Sequence, residues 1–299
     1  GLYLVVVGII PVTNALGGDK NAWFIFALAV TLITWFFLLF TLFGVRERRD
    51  LYKKEEWTSV KDLFAVIFRN DQLLYTAIAM GLFMIGYATT TSFGVYYFKY
   101  AYKDENMYAV FAAILGLSQL GALSVFNLFS KRFTRRQLYT FATALVVLGY
   151  IIFFAAPERM AFIGPAGVLI FVGEAFIQLL MLMFLADTVE YGQWKLGRRN
   201  ESITFSVQPF INKIGAALAT GIVMATTVLS GINAAVTPDD VTAGGLLLMK
   251  FAMLILPLIC IVAGYLIYLF KYKIDREMFA RIISDLAARG DFELKGGGS

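Results

Sequence analysis

Apolar runs long enough to cross a bilayer recur along this chain, and they limit its fold more than any other feature. They occupy about 23–43, 72–94, 107–129, 137–155, 161–186, 203–230 and 246–270, and residues 1–12 read as the last half of another. A helix needs roughly 20 apolar residues to span the hydrocarbon core. Backbone groups in lipid must be satisfied within their own segment, so the runs predict α-helices. A membrane β-barrel would instead alternate in segments of about ten residues. Charged residues make up 16% of the chain, against about a quarter in a soluble domain, and they cluster between the runs. The expectation is an all-α transmembrane protein that crosses the bilayer at least seven times. The chain opens on Gly1 within a hydrophobic run, so it is expected to continue a longer one. Its GGGS ending at 296–299 reads either as a linker scar or as natural sequence.

Several chemistries are excluded. The sequence has no histidine, which removes His-based metal sites and His general bases, and its single cysteine, Cys260, permits no disulfide within the chain. H-E-x-x-H, G-x-S-x-G and G-x-x-x-x-G-K-[ST] are all absent, so the chain is not a metal or serine protease, and it houses no ATP-driven pump by itself. An enzyme is not expected. The net charge is +5, but the placement of the charges points to a membrane surface and not to nucleic acid.

Lys and Arg mark cytoplasmic loops. Twenty of the 26 fall in loops 44–71, 130–136 and 187–202 and in the tail from 271, on one side of an alternating pattern. Lys20, Lys99, Lys103, Arg159 and Lys250 fall on the other side, and Lys213 falls inside a span. The C-terminus is therefore expected in the cytoplasm. Trp23 and Tyr96, Tyr97, Tyr100 and Tyr102 lie at span ends, as headgroup-level anchors do. In loop 44–71, Trp57, Val60, Leu63, Phe64 and Ile67 recur at helical spacing, which predicts an amphipathic helix along the membrane surface. One and a half spans precede this loop and six follow it. That pattern resembles the middle of a twelve-helix carrier built from two six-helix halves. The divisions are then a remnant of the first half (1–43), a central loop (44–71), a six-helix half (72–270) and a cytoplasmic tail (271–299).

Ionisable groups inside spans are costly and usually face a cavity or a partner. Lys213 sits roughly 15 Å into its helix and Glu174 roughly 18 Å from the end of its own, at 1.5 Å per residue. They lie on helices adjacent in sequence and can pair with each other. A structural ion pair is the bland alternative for Lys213, and its depth argues against snorkelling. Gln178 follows Glu174 by one turn, and Gln208 and Asn212 form a second i, i+4 pair. Pro209 can free a carbonyl near 205 to line a polar path, or simply kink the helix. Cavity candidates are thus Lys213, Gln178, Glu174, Asn212 and Gln208. Small residues, Ala112, Gly116 and the run from Gly215 to Gly221, speak to close helix packing.

The segment 186–202, ADTVEYGQWKLGRRNES, is the densest in charge. Asp187 and Glu190 are placed at the end of an inward-running helix, where the macrodipole disfavours negative charge, so a basic partner is expected among Arg198, Arg199 and Arg135. Asn200 is placed to cap the next helix. Such a cluster can hold a cytoplasmic gate, although anchoring and capping suffice for it on physics alone. The run KRFTRRQ at 131–137 partly matches the D-R-x-G-R-R loop of the major facilitator superfamily through Arg132, Arg135 and Arg136; Lys131 and Thr134 depart from it.

Asp187, Val189, Glu190, Tyr191, Gly192, Lys195, Arg199, Glu201, Ser202, Ser206, Val207 and Lys213 together form a long motif. In it the chain resembles the glycoside–pentoside–hexuronide:cation symporters, the family of the melibiose permease, and the likeness extends loosely over 1–275. The resemblance implies a major facilitator-type helical bundle and uptake of a sugar coupled to Na⁺, H⁺ or Li⁺. It implies that Lys213 belongs to the central cavity, and that Tyr191 and Arg199 belong to a cytoplasmic gating region. Gln178 stands where the melibiose permease has a sugar-lining tryptophan, so a different sugar preference is expected. The cation site and sugar-orienting carboxylates are expected in an N-terminal half that completes the carrier, in a bacterial inner (plasma) membrane. No metal or cofactor beyond the coupling cation is implied. Two other readings stand beside this one: a lysolipid-type carrier of the same superfamily, and a non-transporting membrane scaffold or receptor.

Overall fold

A computed structural model describes residues 2–44 and 60–290. Most of the basic loop, with Trp57, and the chain from 291 onward lie outside the described residues. Among those described, every regular element is helical. The elements are α1 (Leu2–Ala15), α2 (Lys20–Gly44), α3 (Val60–Arg69), α4 (Asp71–Tyr96), α5 (Met107–Arg132), α6 (Arg135–Ala155), α7 (Met160–Leu196), α8 (Glu201–Leu229), α9 (Ala243–Lys250), α10 (Leu256–Lys271) and α11 (Arg276–Ala288). A π-helical turn, Tyr97–Ala101, extends α4, and another, Phe251–Ile255, joins α9 to α10 in one span. Among the described residues, seven helices are long and apolar enough to cross a membrane: α2, α4 to α8, and the α9–α10 span.

Helix ends follow local chemistry. Asn70 accepts a hydrogen bond from the Leu73 amide and starts α4. Thr134 and Gln137 make a reciprocal capping box at the start of α6. Gly197, at a φ of 68°, stops α7 in the left-handed region that a side chain would strain. Asn200 corrects an expectation: it precedes α8, but its side chain makes no capping bond and donates to the Arg198 carbonyl, 3.4 Å away.

α7 is the central helix, packing against α4, α5, α6, α8 and α11. Its closest neighbour is α6, because Gly173 leaves no side chain between them. A Cβ at Gly173 would sit 2.6 Å from the Ala142 carbonyl oxygen, well inside contact distance. α7 is 37 residues, roughly 55 Å at 1.5 Å per residue, and outruns the hydrocarbon core. The expected span 161–186 therefore falls ten residues short at its C-terminal end. Hydropathy drops where the charges begin, yet the helix continues, because packing and not lipid supports its last turns.

Two further differences concern the surface. Tyr97 and Tyr100, expected as headgroup anchors, are buried, and Tyr97 packs edge-on against Phe98 and Phe153. Within the tail, α11 returns to the bundle, burying Ile282 and Leu286 against Tyr191, Trp194 and Ile274. Trp194 Nε1 donates to Asp285 at 2.9 Å, and Arg289 donates to the Trp194 carbonyl at 3.0 Å. α1 leans on α2 and α5, while Phe36, Phe37, Phe40 and Phe43 of α2 are exposed, as suits a helix surrounded by lipid. In α3, Ile67 is buried and Phe68 exposed.

Candidate functional site

A cavity of about 330 Å³ opens between α4, α5, α7 and α8. Each helix contributes a polar group to a largely apolar wall. α4 supplies Tyr87, with Phe83 stacked beside it at 6.2 Å between ring centroids. α5 supplies Gln119, whose amide reaches the Tyr87 hydroxyl at 3.5 Å. α7 supplies Gln178, and α8 supplies Gln208 and Asn212, one turn apart. No Asp, Glu, Lys or Arg lines the space among the described residues. Neutral amides both donate and accept, and an aromatic face offers an apolar plate. This surface suits an uncharged solute with many hydroxyl groups, and its volume lies in the usual range for small-molecule sites.

Of the five cavity candidates named from sequence, Gln178, Gln208 and Asn212 meet here, and Lys213 and Glu174 do not. Successive helical residues are turned by about 100°, so Lys213 points away from the space that Asn212 faces. It lies on the exposed side of α8 with Ile214, and no ion pair is formed with it among the described residues. Glu174 precedes the cavity-lining Ala175 and is fully buried toward α6, where its Oε1 lies 3.4 Å from the Tyr150 hydroxyl. The pairing of Lys213 with Glu174 that sequence allowed is not formed. α8 continues through Pro209, which sits on its exposed side. Gln119 and Tyr87 were missed, because a glutamine and a tyrosine without charged neighbours leave no mark in a hydropathy reading.

The charged cluster lies at the end of the bundle where α7 meets α4, α6 and α10. The macrodipole argument fails for Asp187, which is more than two turns inside α7 and beyond the reach of the helix end. Asp187 is buried and forms an ion pair with Arg135, and the Tyr272 hydroxyl donates to it at 3.1 Å. Arg199 bridges back to α7, 3.3 Å from Glu190 and 3.1 Å from Gln193. It also pairs with Glu201 at 3.0 Å. Tyr191 and Lys195 both donate to Asp71 at the start of α4, at 2.8 and 2.6 Å. Arg132 and Arg198 are exposed, and Arg136 lines a shallow surface groove with Thr134 and Phe141. Asp71, the acceptor that joins α4 to α7, was not singled out in the sequence. At the opposite end, Lys103 pairs with Asp239 at 2.5 Å and Lys250 with Glu158. The Lys250 hydrogen bond holds the Glu158 carboxyl below its usual range.

No group of three or more acidic or cysteine side chains able to hold a metal is present among the described residues.

The profile of the family described as MFS/sugar transport protein matches residues 1–276. A lactose permease of Lactobacillus delbrueckii subsp. bulgaricus is 32% identical over 270 residues, covering 90% of this chain and 43% of that protein. The raffinose carrier protein of Pediococcus pentosaceus is 31% identical over 271 residues, covering 90% and 42%. A lactose permease of Leuconostoc lactis is 27% identical over 293 residues, covering 96% and 46%. The chain thus spans less than half the length of these curated relatives.

Proposed function

We propose that this chain, which belongs to the MFS/sugar transport protein family, supplies the solute-binding wall and one gate of a secondary carrier that moves a sugar together with a cation. The observation that carries the reading is the cavity itself: three glutamines, an asparagine and a tyrosine converge on it with no formal charge. Sugar hydroxyls match such a lining, and Phe83 and Tyr87 offer rings to the apolar face of a pyranose. The names of the relatives, lactose permease and raffinose carrier protein, support a di- or oligosaccharide. The exposed position of Lys213, without an ion pair among the described residues, supports a further set of helices facing α8, with a carboxylate for the lysine and a site for Na⁺, H⁺ or Li⁺. In the same reading the Asp187–Arg135–Tyr272 and Glu190–Arg199 contacts close the cytoplasmic end, with Tyr191 and Lys195 latched to Asp71. The membrane is the bacterial inner membrane.

The test is equilibrium binding of labelled disaccharides to the complete carrier in lipid nanodiscs, with and without Na⁺ and across pH. Losing one hydrogen bond to a neutral hydroxyl costs about 1 kcal/mol, so Gln178→Ala and Asn212→Ala should each weaken binding roughly fivefold. Saturable lysophospholipid binding with no sugar binding would replace this reading with the lipid-carrier one. Binding of neither solute would favour a scaffold.

A further inference from the structure

Glu174 is fully buried, outside the sugar cavity, and the transport reading gives it no task. Around it runs a chain of hydroxyl groups crossing three helix interfaces. Its Oε1 lies 3.4 Å from the hydroxyl of Tyr150 on α6. That hydroxyl is 2.6 Å from Thr90 Oγ1 on α4, and Thr90 Oγ1 is 2.9 Å from the carbonyl oxygen of Met253 in the π-helical turn between α9 and α10. Thr90, Tyr150 and Glu174 are all at least 97% buried.

The proton count gives this chain a direction. The Met253 carbonyl can only accept, so the single proton of Thr90 is spent on it. Thr90 Oγ1 therefore accepts from Tyr150, whose single proton is spent in turn. The Tyr150 oxygen then has only an acceptor's role left toward Glu174. A carboxylate cannot donate, whereas a carboxylic acid can. The surroundings argue the same way independently. Glu174 Oε2 is buried with no hydrogen-bond partner among the described residues. Tyr150 is the polar side chain that the described residues bring within reach of this carboxyl. No Lys or Arg pairs with Glu174 among the described residues. An anion with one bare oxygen and no cation is costly to bury, and a neutral acid is far less so.

We infer that Glu174 is a proton-binding site: a neutral carboxylic acid that heads the chain Glu174 to Tyr150 to Thr90 to the Met253 carbonyl. The site sits one residue from the cavity wall at Ala175 and one turn from Gln178. It ties the protonation of the central helix to the α9–α10 span. It does not depend on which solute the cavity takes.

The experiment is infrared spectroscopy of the full chain in lipid. At pH 7, where exposed carboxyls have ionised, a carboxylic-acid C=O stretch should be present. Glu174→Gln should abolish that band. Tyr150→Phe, which keeps the acid and removes its acceptor, should move the band to higher frequency. Absence of the band at pH 7, or its persistence in Glu174→Gln, overturns the proton site. A band that stays in place in Tyr150→Phe overturns the chain, and this arm stands even if Glu174→Gln does not fold.

Discussion

Lys213 shows how one rotation step decides a residue's environment. Asn212 faces the cavity, and Lys213, the next residue, lies on the exposed side of α8. An ammonium near the bilayer centre costs about 2.5–3.5 kcal/mol on insertion scales, so its retention implies a partner. On the proposed carrier reading, Lys213→Ala should leave membrane abundance unchanged or raised while abolishing sugar accumulation against a gradient. Lys213→Arg should restore little, because a planar fork does not replace a compact ammonium. Uptake into membrane vesicles, normalised to abundance, checks this; full ion-dependent accumulation by Lys213→Ala would make the residue merely structural. The other site residues were unequally legible. Gln178, Gln208 and Asn212 stood out through their helical spacing beside Glu174 and Lys213. Tyr87 and Gln119 did not, since nothing local distinguishes a tyrosine that lines a cavity from one that packs.

At the scale of elements, α11 is the clearest case of structure that hydropathy overlooks. Arg276–Ala288 is too polar to be a span and was counted only as tail, yet it packs its apolar stripe onto the end of α7. Ile282 and Leu286 are fully buried there. Truncating a buried Ile or Leu to Ala costs about 2–5 kcal/mol. A helix of 13 residues is marginal in water without its docking surface. Ile282→Ala with Leu286→Ala should therefore unfold the backbone around the already exposed Arg276, Arg281 and Arg289, and trypsin should cleave the tail several-fold faster. An unchanged cleavage rate would mean that α11 does not depend on this contact. The same packing explains why α7 outruns its apolar stretch. Its last turns are held by α11 and by Asp71, Tyr191 and Lys195, and no bilayer is needed to cover them.

For the whole molecule, the loops divide into two sets at opposite ends of the bundle. One holds the Asp187–Arg135 and Asp71–Lys195 contacts, and the other holds Lys103–Asp239 and Lys250–Glu158. Most of the positive charge lies at the first end, which the positive-inside rule assigns to the cytoplasm. Single cysteines introduced at 132, 198 and 285 in a Cys260→Ser background should resist an impermeant thiol reagent added outside whole cells. Cysteines at 102 and 238 should react. External labelling at 198 would invert the scheme.

The sequence by itself determined that the chain is helical, that it carries at least seven apolar runs long enough to cross a membrane, and roughly where each run begins. These follow from one-dimensional quantities: the length of an apolar run and the demand that lipid places on backbone polar groups. Only the tertiary structure decided which neighbours share a space. Gln119 on α5 meets Gln208 on α8, Asp71 meets Lys195, and Glu174 turns to Tyr150 and away from Lys213. Periodicity places a residue on a face of its own helix, but the rotation of that helix against its neighbours depends on close contacts such as that of Gly173 with the Ala142 carbonyl. Those contacts are set by side-chain shape across distant parts of the chain, and no local window contains them.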